Sequence, residues 1–185
     1  LDIYEKGYVL LQSYFGEAVP KKITVEFRTD NVSRFEPRWS IVLISSPRKS
    51  FRHICTVTHE SSHLAIFNFT DGASLRKEFR FFDEGFASII EYETCDALAD
   101  YKQFALRTAQ EMIKDKGVSF EKVQDWTSYF GSPQTKMDFR SYQVGSTFNF
   151  YIIDTYGKDK LLAFFKAVGD AKNLDKALQA ILEKD

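Results

Sequence analysis

Apolar residues at Ile3, Tyr4, Tyr8, Leu11 and Phe15 recur at helical spacing, so the chain is expected to open with a short amphipathic helix that Gly16 ends. After Pro20 the period changes. Lys22-Ile23-Thr24-Val25-Glu26-Phe27-Arg28 alternates apolar with polar or charged side chains, the pattern of a half-buried strand. A turn-like segment through Asp30, Asn31 and Pro37 leads to Trp39-Ser40-Ile41-Val42-Leu43-Ile44-Ser45, a second strand closed by Pro47. From Phe51 to Phe67 there is no Gly or Pro, and the run is apolar enough for a mostly buried helix. Asp71-Gly72 marks a turn in the connection from Asn68 to Arg80, and Phe81 to Glu93 forms the helix that follows.

Leu98, Tyr101, Ala105, Ala109, Met112 and Ile113 then mark a helix within Ala97 to Lys116, stopped by Gly117. Ser119 is suited to cap a further helix carrying Val123 and Trp126, and Gly131-Ser132-Pro133-Gln134-Thr135-Lys136 is the most loop-like run of the chain. A helix is expected to end at Gly157, a new amphipathic one to start there, and Leu174, Ala177, Leu178 and Ile181 make the last. A small sheet near the start and helices after it place the chain in the α+β class. Its 185 residues fit a single domain, with an N-terminal lobe over about 1–68, a helical lobe over about 69–185 and a cleft between them.

The chemistry concentrates in His59-Glu60-Ser61-Ser62-His63, the pattern H-E-x-x-H. Residues four apart share a helix face, so His59 and His63 can aim both imidazoles at one metal ion, for which zinc is the expected identity. Glu60 is placed to take a proton from a water that the ion acidifies. Five-residue patterns arise by chance, and a histidine on a helix is often only packed or solvated. Scarcity argues for chelation, because the chain has 3 histidines and two of them fall at this spacing.

Phe82-Asp83-Glu84-Gly85-Phe86-Ala87 follows, with twenty residues between His63 and Glu84. H-E-x-x-H followed by D-E-G-F-A resembles the gluzincin metallopeptidases, the group that includes thermolysin and the aminopeptidase N family. The resemblance implies a zincin-like α+β fold, a third zinc ligand at Glu84, and a supporting glutamate at Glu91 holding the other nitrogen of a histidine. Gly85 would let a neighbouring helix come close, with Phe86 and Ala87 packing the second ligand helix against the first. Ser141-Tyr142-Gln143-Val144-Gly145 resembles the Y-E-K-G segment of the aminopeptidases, which implies that Tyr142 donates a hydrogen bond to the developing oxyanion. Gln143 and Val144 depart from that pattern. The strand before the metal helix, Trp39 to Ser45, corresponds in placement to the family's edge strand, to which extended substrate adds. The G-A-M-E-N motif of the aminopeptidases is absent, and Glu36 reads as a turn residue before Pro37.

Composition adds limits. With 25 basic and 26 acidic residues the net charge is -1, so nothing points to nucleic acid or an anionic membrane, and the Arg48, Lys49, Arg52 cluster reads as solvated. Eighteen Phe and nine Tyr predict an aromatic core. No run is long and apolar enough to span a membrane. A start at Leu1 without Met suggests either a trimmed piece or a processed mature chain whose secretion signal was lost with the missing segment, and the second alternative points to an extracytoplasmic or secreted location. Cys55 and Cys95 form either a disulfide or two buried thiols, with Cys55 in the core, and Asn31-Val32-Ser33 and Asn68-Phe69-Thr70 match the glycosylation pattern. The expected activity is zinc-dependent hydrolysis of a peptide or protein substrate. The alternatives are an inactive zinc- or peptide-binding module and a zinc hydrolase of a non-peptide substrate.

Overall fold

Helix α1 spans Ile3–Phe15, in agreement with the apolar spacing, and its buried Leu11 and Phe15 face the interior. The computed structural model of the chain describes residues 3–29, 33–45, 51–115, 119 and 140–182. After α1 come strands β1 (Thr24–Arg28), β2 (Arg34–Glu36) and β3 (Ile41–Ser45), and then helix α2 (Phe51–Phe69). Two 3-10 turns lead into α3 (Arg80–Thr94), followed by α4 (Leu98–Gln110), whose end winds into a π-helical turn at Glu111–Asp115. Helices α5 (Arg140–Tyr156), α6 (Lys158–Ala171) and α7 (Leu174–Leu182) complete the described chain. Val123, Trp126, the run Gly131 to Lys136, Arg48, Lys49 and Asn31 lie outside the described residues.

The sheet departs from the sequence reading in one respect. Strand order is β1-β3-β2, with β1 parallel to β3 and β2 antiparallel to it. The expectation that the strand before the metal helix offers a free edge to substrate is therefore overturned, since β3 is paired on both sides. Its register runs Thr24↔Ile41 to Arg28↔Ser45 on one flank and Arg34↔Leu43, Phe35↔Val42 and Glu36↔Ile41 on the other. The physical reason is legible in hindsight. Ile41-Val42-Leu43-Ile44 is continuously apolar, the composition of a strand covered on both faces and not of an edge. Strand β2 is short and runs straight into Pro37, so it read as part of a turn. Glu36 is accordingly the last residue of β2, exposed and 3.6 Å from Arg34.

Helix α2 carries the sheet on one side and the helical core on the other. Val42 and Ile44 pack on Val57 and Leu64, with Ile23, Val25 and Phe35 around them. A larger core joins α1, α2, α3, α5, α6 and α7 through edge-on aromatic contacts, among them Phe15 with Phe86 and Phe82 with Phe164. Phe86 meets Tyr14 and Phe15 of α1 and Phe165 of α6 edge-on, within the same core cluster as Ala65 and Ile66 of α2. The connection ahead of α3 lies against α6, where Arg76 donates to the Lys172 carbonyl.

Close approach falls between α3 and α5. A Cβ at Gly85 would overlap the backbone of Gly145 and Ser146, and one at Gly145 would overlap the Phe81 carbonyl. Asn149 Nδ2 donates to the Phe82 carbonyl at 3.0 Å and Ser146 Oγ to the Gly85 carbonyl at 2.9 Å, which satisfies polar groups trapped in the contact. A disulfide joins Cys55 of α2 to Cys95, the residue after α3, with Cα atoms 6.2 Å apart. Among the described residues no helix is long and apolar enough to cross a membrane.

Candidate metal site

Residues 59 to 63 lie in the buried middle of α2, where a polar motif has to account for every donor and acceptor. The serines of the motif do so within their own helix. Ser61 Oγ donates to the Val57 carbonyl and Ser62 Oγ to the Thr58 carbonyl, both at 2.7 Å. His59, Glu60 and His63 are left to look outward from the helix, each buried, toward the first turns of α3. Glu84 meets both histidines there. Its Oε2 lies 3.1 Å from His59 Nε2 and 3.3 Å from His63 Nε2.

The far side of each imidazole has its own carboxylate. Glu91 Oε2 is 3.0 Å from His59 Nδ1, and Asp83 Oδ1 is 3.0 Å from His63 Nδ1. Both are ion-pair contacts without a well-aligned hydrogen bond, because the Nδ1 atoms and Asp83 Oδ1 are buried and otherwise without a partner. Arg80, one turn before Glu84, donates to Asp83 and to Glu84 Oε1. From β2, Phe35 stacks on His63 with ring centroids 5.3 Å apart. From α5, the Tyr142 hydroxyl hydrogen-bonds the Glu84 carboxylate, and its ring lies 6.3 Å from that of His59.

Every sequence-derived candidate, His59, Glu60, His63, Glu84, Glu91 and Tyr142, is thus in one cluster. Asp83, Arg80 and Phe35 were missed. Asp83 and Arg80 had a signal, being adjacent to Glu84 and one helical turn before it. Phe35 had none, because only the strand order brings it to the histidine.

Electrostatics tie the cluster together. Burial pushes the His59 imidazole down, but the Glu84 hydrogen bond and the charges of Glu91 and Glu84 prevail, leaving it well above the usual histidine range. His63 is likewise penalised by burial and lifted by Asp83 and Glu84 to about 9. Burial alone would raise Glu84, yet His63, His59 and Arg80 hold it well below the ordinary carboxylate range. Glu60 goes the other way, raised by burial despite the pull of His63 and His59. Burial and the Glu84 charge both push Tyr142 up, so it is held as the protonated phenol.

The donor set fits a metal ion. One ligand atom each from His59, His63 and Glu84 lies within 4.8 Å of the others, all three residues buried. Formally, Glu60, Asp83, Glu84 and Glu91 bring four negative charges and Arg80 one positive charge into a space from which water is largely excluded. A divalent cation reduces the net charge from three negative to one, which is what a proton on each imidazole does in its absence. A separate cavity of about 670 Å³ opens between α1, β1 and α2, lined by Tyr8, Leu11, Val25, Phe27 and Val57, and none of the three candidate ligands reaches it.

No protein-family model, no curated protein and no solved structure matches this chain.

Proposed function

We propose that the chain is a zinc peptidase of the gluzincin type, with a zincin-like fold and His59, His63 and Glu84 as the ligands. One observation carries the reading: both imidazole Nε2 atoms converge on a single carboxylate oxygen, with a second buried glutamate, Glu60, beside them on the same helix. Bond lengths of about 2.0–2.1 Å and tetrahedral angles set neighbouring donors on zinc about 3.3 Å apart; Glu84 Oε2 stands 3.1 and 3.3 Å from the two imidazole nitrogens, and all three donors lie within 4.8 Å of one another. Two nitrogens and one carboxylate oxygen are also the donor set of a catalytic zinc site, which keeps a position open.

When bound, the ion supplies Lewis acidity and an acidified water. Glu60 accepts the proton of the attacking water and passes it to the leaving amine; a carboxyl raised by burial is suited to both halves of that transfer. Tyr142, held protonated, donates to the oxyanion as charge develops. Glu91 and Asp83 orient the imidazoles from behind. Extended substrate adds to the outer edge of β2, whose Phe35 already touches His63, and so passes directly over the ligands. The Cys55–Cys95 disulfide supports an extracytoplasmic location.

The test is cleavage of a mixed peptide library with zinc and with a chelator, beside metal analysis of the same samples. Chelator-sensitive cleavage that disappears in Glu60→Gln, while that variant retains zinc, is the expected result. Zinc bound stoichiometrically without any cleavage would leave a binding module, and undiminished activity in Glu60→Gln would remove the proposed base.

A further inference from the structure

Arg80 stands at an unusual point for a cation. It lies one helical turn before Glu84, at the i,i+3 position to Asp83 and i,i+4 to Glu84, so one guanidinium spans two neighbouring carboxylates on its own helix. An exposed pair of that kind contributes little. Here the arginine side chain is only 20% exposed and its partners 1% and 6%, so the charges meet where solvent hardly screens them. The two contacts differ in what they leave free. Nη1 takes Asp83 Oδ2 at 2.7 Å, and the other oxygen, Oδ1, faces His63 Nδ1 at 3.0 Å. Nη2 takes Glu84 Oε1, and the other oxygen, Oε2, faces both histidine Nε2 atoms.

Resting on the metal reading above, we infer that Arg80 is a positioning residue that makes Glu84 a one-oxygen ligand and, through Asp83, fixes the ring of His63. A carboxylate free to turn can offer both oxygens to a cation, and the second would fill the position that a water or a carbonyl needs. With Oε1 held by the guanidinium, only Oε2 is presented, and the coordination stays open. The planar fork of arginine matters, since its two nitrogens reach two carboxylates at once, whereas the point charge of lysine reaches one.

The experiment compares the full chain with Arg80→Met, Arg80→Lys and Asp83→Asn by zinc affinity against a chromophoric chelator and by the visible spectrum of the cobalt-substituted protein, with circular dichroism to verify folding. Arg80→Met is expected to bind zinc about 10- to 100-fold more weakly. Its cobalt bands should lose intensity as the second carboxylate oxygen raises the coordination number. Arg80→Lys should recover part of the affinity. Asp83→Asn should weaken zinc yet leave the cobalt bands as they are, because Glu84 is still held. A weaker site with an unchanged spectrum in Arg80→Met would overturn the single-oxygen assignment, and unchanged affinity in all three variants would overturn the inference as a whole. Should Arg80→Met fail to fold, the lysine and asparagine variants decide it by the same measurements. A wild-type chain that takes up neither zinc nor cobalt would instead overturn the metal reading, and this inference with it.

Discussion

His63 is flanked by carboxylates on both ring nitrogens, which makes its behaviour without metal the reverse of its behaviour with it. In the metal-free chain its folded value is about 9 against 6.5 for the free side chain. A group raised on folding contributes stability that is full below its unfolded value and lost as pH climbs through its folded value. The metal-free protein is therefore expected to lose thermal stability between pH 6.5 and about 9. On the proposed reading zinc would take the place of the protons, so the gain in melting temperature on adding zinc should widen over the same interval. Melting curves in chelator and in zinc across that range check this, and a metal-free stability that is flat or rising there would contradict it. At this scale the sequence was most informative. His59, Glu60 and His63 could be picked from spacing and residue type because metal chemistry needs the two imidazoles on adjacent helical turns, whereas Glu84, on another helix, came from the resemblance of D-E-G-F-A to the gluzincin pattern. Arg80 and Asp83 were visible too, but their roles depend on which carboxylate oxygen each one meets.

Among the elements, α3 and α5 cross at Gly85 and Gly145, and the site depends on that crossing. It brings Tyr142 of α5 to Glu84 of α3. Gly145→Ala would push a methyl group into the Phe81 carbonyl, and overpacking of this kind costs about 1–3 kcal/mol. A lower melting temperature and weaker zinc retention are expected together, since the displaced helix carries Glu84, the proposed third ligand. If the variant melts like the wild type, the close crossing is not what holds the pair. Gly85 could be read in advance as a place of close approach, but its partner could not, because a glycine announces missing volume without saying which backbone occupies it. The strands teach the same lesson. The alternation in Lys22 to Arg28 and the apolar run Ile41 to Ile44 identified β1 and β3. Which of them was the edge depended on β2, and three residues beside a proline are too few to carry a period.

For the whole molecule, the bond between Cys55 and Cys95 closes a loop of 40 residues that contains every proposed ligand. Loop-closure entropy puts its contribution at about 4 kcal/mol. Replacing both cysteines by alanine should lower the denaturant midpoint accordingly. Most of that loss is expected to be recovered when zinc is added, since an ion on the proposed ligands would tie the same two helices together. A midpoint unchanged in the double variant would show that the bond adds nothing to the native state. The sequence left disulfide and thiols as equals because pairing depends on the distance between two helices, which no local pattern encodes.

Taken by itself, the order of residues determined the helical and strand periods, the α+β class and the pair of histidines able to share a metal, because each follows from spacing along one element. Tertiary structure decided the rest: that β3 lies inside the sheet and β2 at its edge, that Phe86 packs on α1 and α6, that the cysteines pair, and that Arg80 faces one oxygen of Glu84 while the histidines face the other. Those outcomes turn on distances between segments far apart in the chain, set by which apolar faces bury one another, and hydrophobic burial is non-directional until the whole core has closed.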